Sequence, residues 1–125
     1  LFCSSFQHPF YPGTPLAYRG HLVHSPLQAG AGGADFRAAV DEQWWPAVES
    51  FAPELVLVSA GFDAHAADPL AGLNLRADDF RWVTEQIVAM AERHAGGRIL
   101  STLEGGYDLT ALRDSTIAHV EQLAA

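Results

Sequence analysis

Residues 56–65 have the sequence Val-Leu-Val-Ser-Ala-Gly-Phe-Asp-Ala-His, an apolar run that ends in a carboxylate and a histidine. The near-continuous leucine and valine over residues 55–59 predict a strand buried on both faces, as in a parallel sheet. Open parallel sheets bind ligands at the carboxyl ends of their strands. Asp63 and His65 therefore stand where a ligand site is expected.

A second apolar run ends in a similar way further along the chain. Residues 99–103 read Ile-Leu-Ser-Thr-Leu and are followed by Glu104, two glycines and Tyr107. Paired glycines let the backbone approach a ligand closely and adopt angles that other residues avoid. The two strand ends together predict an active site.

The rest of the chain alternates between strand-like and helix-like segments. With 125 residues the chain is at most one domain of ordinary size. Pro, Gly and aromatic residues over 7–20 predict a structured loop. Period-two and apolar runs predict strands, and apolar residues three and four apart predict helices: strands at 1–5, 21–27, 55–59 and 98–103, helices at 35–51, 78–94 and 109–123. This order predicts an α/β fold with helices covering a parallel sheet.

Composition excludes several classes of partner. The chain carries 15 acidic and 7 basic residues, a net charge of −8. Binding to nucleic acid or to an anionic membrane surface requires clustered Lys and Arg, so neither is expected. No apolar stretch approaches the roughly 20 residues that a membrane span needs. The single cysteine, Cys3, excludes an intrachain disulfide and fits a reducing compartment, so a cytoplasmic protein is expected.

Four side chains could carry chemistry, and each has a structural alternative. Asp63 is either a metal ligand or the cap of the following turn, or it pairs with a basic residue. His65 could share a metal with it, orient it, or be a loop residue. The Tyr107 hydroxyl could donate to an oxyanion, or its ring could pack over a glycine turn. Glu104 could be a general base, although an inward carboxylate bonded to backbone is the preferred interpretation.

The combined motifs resemble the C-terminal part of the histone deacetylase superfamily, which includes bacterial deacetylase-like and acetylpolyamine amidohydrolases. The match extends over essentially the whole chain. Four segments carry it in order: Phe-Tyr-Pro-Gly-Thr at 10–14, the strand and aspartate at 55–63, Asp-Pro-Leu at 68–70 with Leu-Asn-Leu at 73–75, and Leu-Glu-Gly-Gly-Tyr at 103–107.

The resemblance implies the arginase/deacetylase fold, a three-layer architecture in which helices cover both faces of a parallel sheet. It also implies a zinc-dependent hydrolase that cleaves acetyl amides in acetyl-lysine or in an acetylated polyamine. Asp63 would be one zinc ligand. Tyr107 would polarise the carbonyl and stabilise the tetrahedral oxyanion.

The resemblance assigns further residues to the substrate and to a second cation. Tyr11 and Leu70 would line the acyl tunnel, and Gly105 and Gly106 would flank the substrate. Ser4 and the carbonyl of Ser5 match a monovalent-cation site near the zinc. His65 would belong to the loop after the ligand, which argues against its being a ligand.

The sequence also departs from the family pattern. The other two zinc ligands of the family come from an Asp-x-His motif, and its acid–base histidine pair lies further upstream. Apart from Asp63-Ala64-His65, in which Asp63 already matches a different ligand position of the family, none of the six histidines here stands in such a motif. Phe6 replaces a histidine of many relatives, and Pro15 a glycine. We therefore expect residues 1–125 to be the C-terminal part of a deacetylase-like domain, without a second domain, and inactive in isolation.

Two other interpretations remain open. The chain could be a non-catalytic module that forms homo-oligomers through exposed sheet edges. It could also be a different hydrolase that uses Asp63 and His65 with a base from elsewhere.

Overall fold

A computed structural model describes residues 1–11, 13 and 20–125. Strands and helices alternate as the sequence predicts, with boundaries shifted by at most two residues. The elements, in chain order, are β1 (Phe2–Gln7), β2 (Leu22–Leu27), α1 (Gly33–Phe51), β3 (Val56–Ala60), α2 (Ala77–His94), β4 (Ile99–Leu103) and α3 (Leu109–Leu123). Pro12, Thr14 and Pro15, which belong to the loop quoted above, lie outside the described residues.

The four strands form two parallel pairs, and the parallel direction confirms the sequence prediction. β1 pairs with β2, with Ser4 opposite His24. β3 pairs with β4, with Leu57 opposite Leu100. In the described part of the chain, the two pairs are separate sheets, β1–β2 and β3–β4. The single sheet expected from the strand order is therefore divided into two.

One cleft of about 410 Å³ is lined by both strand pairs. Residues 1–5 and residues 55–64 lie along it, together with side chains of α1 and α2. β1 and β3 border this cleft and do not pair with each other in the described part of the chain.

Carboxylates satisfy the backbone at the beginnings of the helices. The Gly32 N–H donates to Asp35 Oδ2 at 3.0 Å at the start of α1. The Arg76 N–H donates to Asp79 Oδ2 at 2.9 Å at the start of α2. Asp108 caps α3 by accepting from the Ala111 N–H at 2.8 Å. Such contacts pair donors that would otherwise have no intrahelical partner.

Gly33, the first residue of α1, has a packing role. A Cβ on Gly33 would overlap the carboxylate of Asp79. That carboxylate is buried and accepts from the Arg37 guanidinium at 2.9 Å, which joins α1 to α2. A glycine at position 33 therefore allows the two helices to meet at this ion pair.

The apolar core lies between α1, α2 and the ends of β2 and β3. Its buried members are Leu27, Ala31, Phe36, Val40, Ala60, Phe62, Leu73, Leu75 and Phe80. Phe62 and Phe80 meet edge to face, with ring centroids 5.1 Å apart. Because Phe62 directly precedes Asp63, this core fixes the backbone that leads into the candidate site.

The expectation that β3 is buried on both faces is wrong for this chain. Val56 and Val58 are partly buried, whereas Leu57 is 68% exposed and its partner Leu100 is 62% exposed. The helices described here cover one face of the β3–β4 pair and leave the other uncovered. None of the helices in the described part of the chain is long and apolar enough to cross a membrane.

Candidate active site

The ladder between β3 and β4 continues past both strands and brings the two sequence motifs together. The Glu104 N–H donates to the Ala60 carbonyl at 3.0 Å, and the Phe62 N–H donates to the Gly105 carbonyl at 2.8 Å. These bonds place the residues after each strand side by side. The prediction that the two strand ends form one site is consistent with this geometry.

Asp63 lies directly against Gly105. An ideal Cβ built on Gly105 would be 2.8 Å from Asp63 Oδ2 and 2.9 Å from its Cγ. A Cβ on Gly61 would be 3.3 Å from Oδ1. The carboxylate therefore fills the space that a side chain at position 105 would take.

The structural alternatives for Asp63 are not seen. Among the residues that the structure describes, the loop's side-chain hydrogen bonds end on His65 and Asp68, and no ion pair involves Asp63. The turn after Asp63 is closed by backbone instead, with the His65 N–H donating to the Phe62 carbonyl at 3.2 Å. The partly buried Asp63 carboxylate is thus left with oxygen atoms that can accept a ligand.

Of the three alternatives given for His65, the structure supports that of a loop residue. The backbone bond from His65 to Phe62 makes this segment a turn. The His65 Nδ1 accepts from the Ala67 N–H at 3.0 Å, which is a local role in the same loop. This use of Nδ1 agrees with the assignment of His65 to the loop after the ligand.

Tyr107 follows a glycine that no other residue could easily replace. Gly106 has a φ of +136°, and a Cβ there would be 3.0 Å from Leu112 Cδ1 and 3.2 Å from Phe62 Cβ. Tyr107 itself is 57% exposed. The Tyr107 ring therefore faces solvent, while the glycine before it is packed against Leu112 and Phe62. This arrangement disfavours the alternative in which the ring packs over the turn.

Asp68, the first residue of the Asp-Pro-Leu motif at 68–70, is a buried carboxylate whose role the motif alone does not indicate. Its Oδ1 accepts from the Leu70 N–H at 2.9 Å and from the Ala71 N–H at 3.3 Å. Its Oδ2 accepts from the Tyr107 N–H at 2.9 Å. The Asp-Pro turn signal could have pointed to the local bonds, but not to the bond with Tyr107.

His119 is a second residue whose role the sequence analysis missed. Its Nδ1 lies 2.7 Å from Thr84 Oγ1 and its Nε2 lies 2.8 Å from Ser101 Oγ, so it joins α3 to α2 and β4. Its ring also packs against that of Phe62, with centroids 5.9 Å apart. Burial lowers the pKa of His119, which keeps the imidazole neutral beneath the site.

The remaining predicted site residues are spread over the surface around this centre. Ser4, Ser5 and Asp63 line the same cleft. Tyr11 is 85% exposed and Leu70 is 61% exposed. The structure thus places the predicted cation residues on the cleft that reaches Asp63, while no described contact joins Tyr11 to Tyr107.

Glu104 and Cys3 have surroundings that limit the roles each can play. Glu104 is exposed, so the preferred interpretation of an inward carboxylate is wrong. Cys3 lines the cleft, and burial raises the pKa of its thiol. A raised pKa reduces the thiolate fraction and argues against a nucleophilic role for Cys3.

Residues 1–11, 13 and 20–125 contain no group of three or more His, Cys, Asp or Glu side chains that could hold a metal ion. A catalytic zinc site commonly has three protein ligands and an open position. Asp63 has suitable donor chemistry, but the described residues do not complete a zinc site.

Comparison with known proteins agrees with the motifs. The family model of the histone deacetylase domain matches residues 1–123. Histone deacetylase 10, chloroplastic, from Oryza sativa subsp. japonica is 40% identical over 122 residues, which is 92% of this chain and 28% of that protein. The histone deacetylase-like amidohydrolase of Pseudomonas aeruginosa is 41% identical over 106 residues, covering 85% of this chain and 28% of that protein.

A solved structure extends the likeness to the fold. The crystal structure of the HDA15 HD domain superposes with a TM-score of 0.86 at 31% identity, and the match covers 98% of this chain and 37% of that one. The fold of the described residues is therefore an incomplete version of the α/β fold of deacetylase domains. The chain spans only 28% to 37% of these proteins.

Proposed function

Because the chain belongs to the histone deacetylase family, we propose that it supplies part of the active site of a zinc-dependent deacetylase or amidohydrolase that cleaves acetyl amides. The observation that carries this proposal is the junction of the two strand ends. The carboxylate of Asp63 lies against Gly105, two residues before Tyr107. Asp63, a candidate metal ligand, and Tyr107, a candidate hydrogen-bond donor, therefore lie at the same end of the β3–β4 pair.

Asp63 is proposed as one ligand of the zinc ion. When bound by a complete ligand set, zinc supplies Lewis acidity toward a carbonyl oxygen. The other ligands and the acid–base histidines of the family pattern must then come from residues beyond those described here. For this reason the isolated chain is expected to be inactive and to bind zinc weakly.

Tyr107 is proposed as the donor to the substrate carbonyl. Its hydroxyl would hydrogen-bond the carbonyl oxygen as negative charge develops there, and such preorganised donors stabilise the transition state. The exposed ring and the packed Gly106 support this role, because the hydroxyl is accessible while its backbone is held.

The proposed substrates are acetyl-lysine and small acylated amines such as acetylated polyamines. Tyr11 and Leu70 would line the path of the acyl chain, and Gly105 and Gly106 would flank it. Both apolar side chains are exposed and so accessible to a ligand. The net charge of −8 favours the approach of cationic amines. Ser4 and the carbonyl of Ser5 are proposed to bind a monovalent cation. The proposed location of the protein is the cytoplasm.

The decisive experiment uses the protein expressed from its complete coding sequence. Hydrolysis of an acetyl-lysine peptide and of an acetylated polyamine is measured for the parent, Tyr107→Phe and Asp63→Ala. Tyr107→Phe is expected to lower kcat by about 100- to 1,000-fold, as for loss of one oxyanion donor. Asp78→Ala is the matched control for Asp63, because its side chain is 88% exposed. Full activity of Tyr107→Phe would overturn the proposed role.

A second measurement addresses the isolated chain. Zinc titration by calorimetry is expected to show no tight binding while circular dichroism shows a folded protein. Tight one-to-one binding that Asp63→Ala abolishes would show that the chain completes a site by itself or by self-association. That result would overturn the expectation of an inactive part.

Self-association without catalysis is the second candidate function, and the uncovered face of β3–β4 favours it. Leu57 and Leu100 are register partners, and both are largely exposed. Exposed apolar patches of this kind are typical of protein interfaces. Sedimentation of the chain and of Leu57→Ser tests it, because a dimer formed through this face would dissociate in the variant.

A further inference from the structure

The carboxylate of Asp68 joins two loops that are far apart in the sequence. Three backbone N–H groups donate to it: those of Leu70 and Ala71 reach Oδ1, and that of Tyr107 reaches Oδ2. Asp68 is 8% exposed. The contact with Tyr107 spans 39 positions of the chain, so it is a tertiary contact and not a local turn.

The bonding pattern requires a carboxylate at this position. A buried carboxylate is costly unless its oxygens accept hydrogen bonds, and here both oxygens do. An asparagine has one carbonyl oxygen and one NH2 group. Its carbonyl oxygen could accept from the Leu70 N–H or from the Tyr107 N–H. The NH2 group would then face the remaining N–H, which is also a donor.

The backbone of Tyr107 is consequently held on two sides. Its own N–H is bound by Asp68, and the next residue, Asp108, accepts from the Ala111 N–H at 2.8 Å and starts α3. Gly106, packed against Phe62 and Leu112, comes just before it. The Tyr107 side chain has only two soft torsions beyond this anchored Cα.

We propose that Asp68 is a positioning residue that sets the location of the Tyr107 hydroxyl relative to the wall formed by Leu70. This inference rests on the proposed function, in which Tyr107 donates to the substrate carbonyl and Leu70 lines its path. One carboxylate binds the backbone N–H groups of both residues, so the backbone positions that carry the hydroxyl and the wall keep a constant separation. Small displacements of a catalytic group can cost about 100-fold in rate.

The first test is amide hydrogen exchange by NMR in the isolated chain, which needs no activity. Asp68→Asn is compared with Glu85→Gln, which removes one charge from an exposed position on α2. Exchange at the Tyr107 or Leu70 amide is expected to rise at least about tenfold in Asp68→Asn, as for loss of a bond to a charged acceptor. Unchanged protection of both amides would overturn the proposal.

A second variant keeps the test decisive if Asp68→Asn fails to fold. Asp68→Ser retains a short hydroxyl that can accept locally from Leu70, as in a serine turn, but it lacks the oxygen that reaches Tyr107. Faster exchange is then expected at Tyr107 alone. Equal protection of Tyr107 in Asp68→Ser and in the parent would also overturn the proposal.

The second test is a double-mutant cycle on turnover, in the protein expressed from its complete coding sequence. Asp68→Asn is expected to lower kcat by about 100-fold with a small change in KM. In the Tyr107→Phe background the same change is expected to have almost no further effect, because the hydroxyl that it misplaces is gone. A purely structural role would reduce turnover equally in both backgrounds, and that result would overturn the proposal.

The failure of this inference and the failure of the proposed function give different results. If Tyr107→Phe lowers turnover but Asp68→Asn does not, the positioning role is wrong and the catalytic role of Tyr107 stands. If Tyr107→Phe leaves turnover unchanged, the catalytic role is wrong, and the positioning role that depends on it is wrong as well.

Discussion

The carboxyl end of β3–β4 and the carboxyl end of β1–β2 differ in how their candidate residues are placed. At the first, the loops are joined by bonds such as Phe62 N–H to the Gly105 carbonyl at 2.8 Å and Ala66 N–H to the Leu75 carbonyl at 2.8 Å. At the second, the His8 N–H donates to the Leu27 carbonyl at 2.9 Å, and Tyr11 is 85% exposed. The candidate metal and oxyanion residues thus stand on loops that are joined to each other, whereas Tyr11, a candidate substrate residue, faces solvent.

Backbone and side-chain bonds link the two ends, among them the Gly30 N–H to the Gly72 carbonyl at 2.7 Å. The Gly72 N–H donates to Gln7 Oε1 at 2.8 Å, which attaches the loop after β3 to the last residue of β1. Asp63, Tyr107 and Leu70 lie at the β3–β4 end, and Tyr11 lies at the β1–β2 end. The groups proposed for chemistry are thus at the end whose loops are joined to each other, and the exposed Tyr11 is at the other.

The largest expected effect comes from removing the same side chain at each end. Phe62→Ala removes a ring that is 3% exposed and packed against Phe80. It is expected to lower the free energy of unfolding by about 3–5 kcal/mol. Phe10→Ala is the matched control, because Phe10 is 47% exposed, and it is expected to cost about 0.5 kcal/mol or less. Urea denaturation measures both, and equal losses would contradict the contrast between the two ends.

An intermediate effect is expected from adding one methyl group at the β3–β4 end, compared with one added away from it. Gly105→Ala would bring a Cβ to 2.8 Å from Asp63 Oδ2, so the carboxylate or the loop must move. The change is expected to cost about 1–3 kcal/mol, as for other overpacked sites.

Gly20→Ala, just before β2, provides the control away from this end, because nothing in the described part of the chain lies within 4 Å of the Cβ that it adds. Thermal unfolding followed by circular dichroism compares the two variants. The prediction fails if Gly105→Ala melts at the same temperature as Gly20→Ala.

The smallest expected effect is a pH dependence of the free energy of unfolding that arises from His119, which packs against Phe62 at the β3–β4 end. Burial holds the pKa of His119 below its ordinary value of 6.5 in the folded chain. As pH falls below about 6.5 the unfolded chain takes up a proton that the folded chain does not, so stability is complete above this pH and declines below it. The decline is expected to reach at most about 1.4 kcal/mol per pH unit.

His119→Gln isolates this component of the pH dependence. The free energy of unfolding is measured in urea between pH 7.5 and 5.5 for the parent and the variant. The parent is expected to lose more stability over this range than His119→Gln does. Parallel curves would show that His119 has the same proton affinity in the folded and unfolded chains.

The sequence predicted the elements well because their signals are local. The apolar spacing in residues 35–51 and 78–94, and the turn residues between them, depend on neighbours in the chain. Apolar spacing alone does not identify the inward face of α3. Val120 is 50% exposed, whereas the buried residues are Ala111, Ser115, Ala118 and His119. Small side chains allow this face to pack closely, and hydropathy does not detect that.

The candidate site shows the same division. Asp63 and Tyr107 were found from local patterns, a polar residue at a strand end and a tyrosine after two glycines. Asp68 and His119 were missed because their partners, Tyr107 and the pair Thr84 and Ser101, lie 18 to 39 positions away. No single-sequence pattern reports a hydrogen bond over that separation.

By itself the sequence determined the alternation of strands and helices, the family of the chain and the chemical type of its candidate residues. These follow from side-chain chemistry and short-range spacing, which any reader of the chain can see. Only the tertiary structure decided that Asp63 lies in the space left by Gly105, that Asp68 holds Tyr107, and that one face of β3–β4 is uncovered. Those facts depend on which distant segments pack together, and packing is a property of the folded chain as a whole.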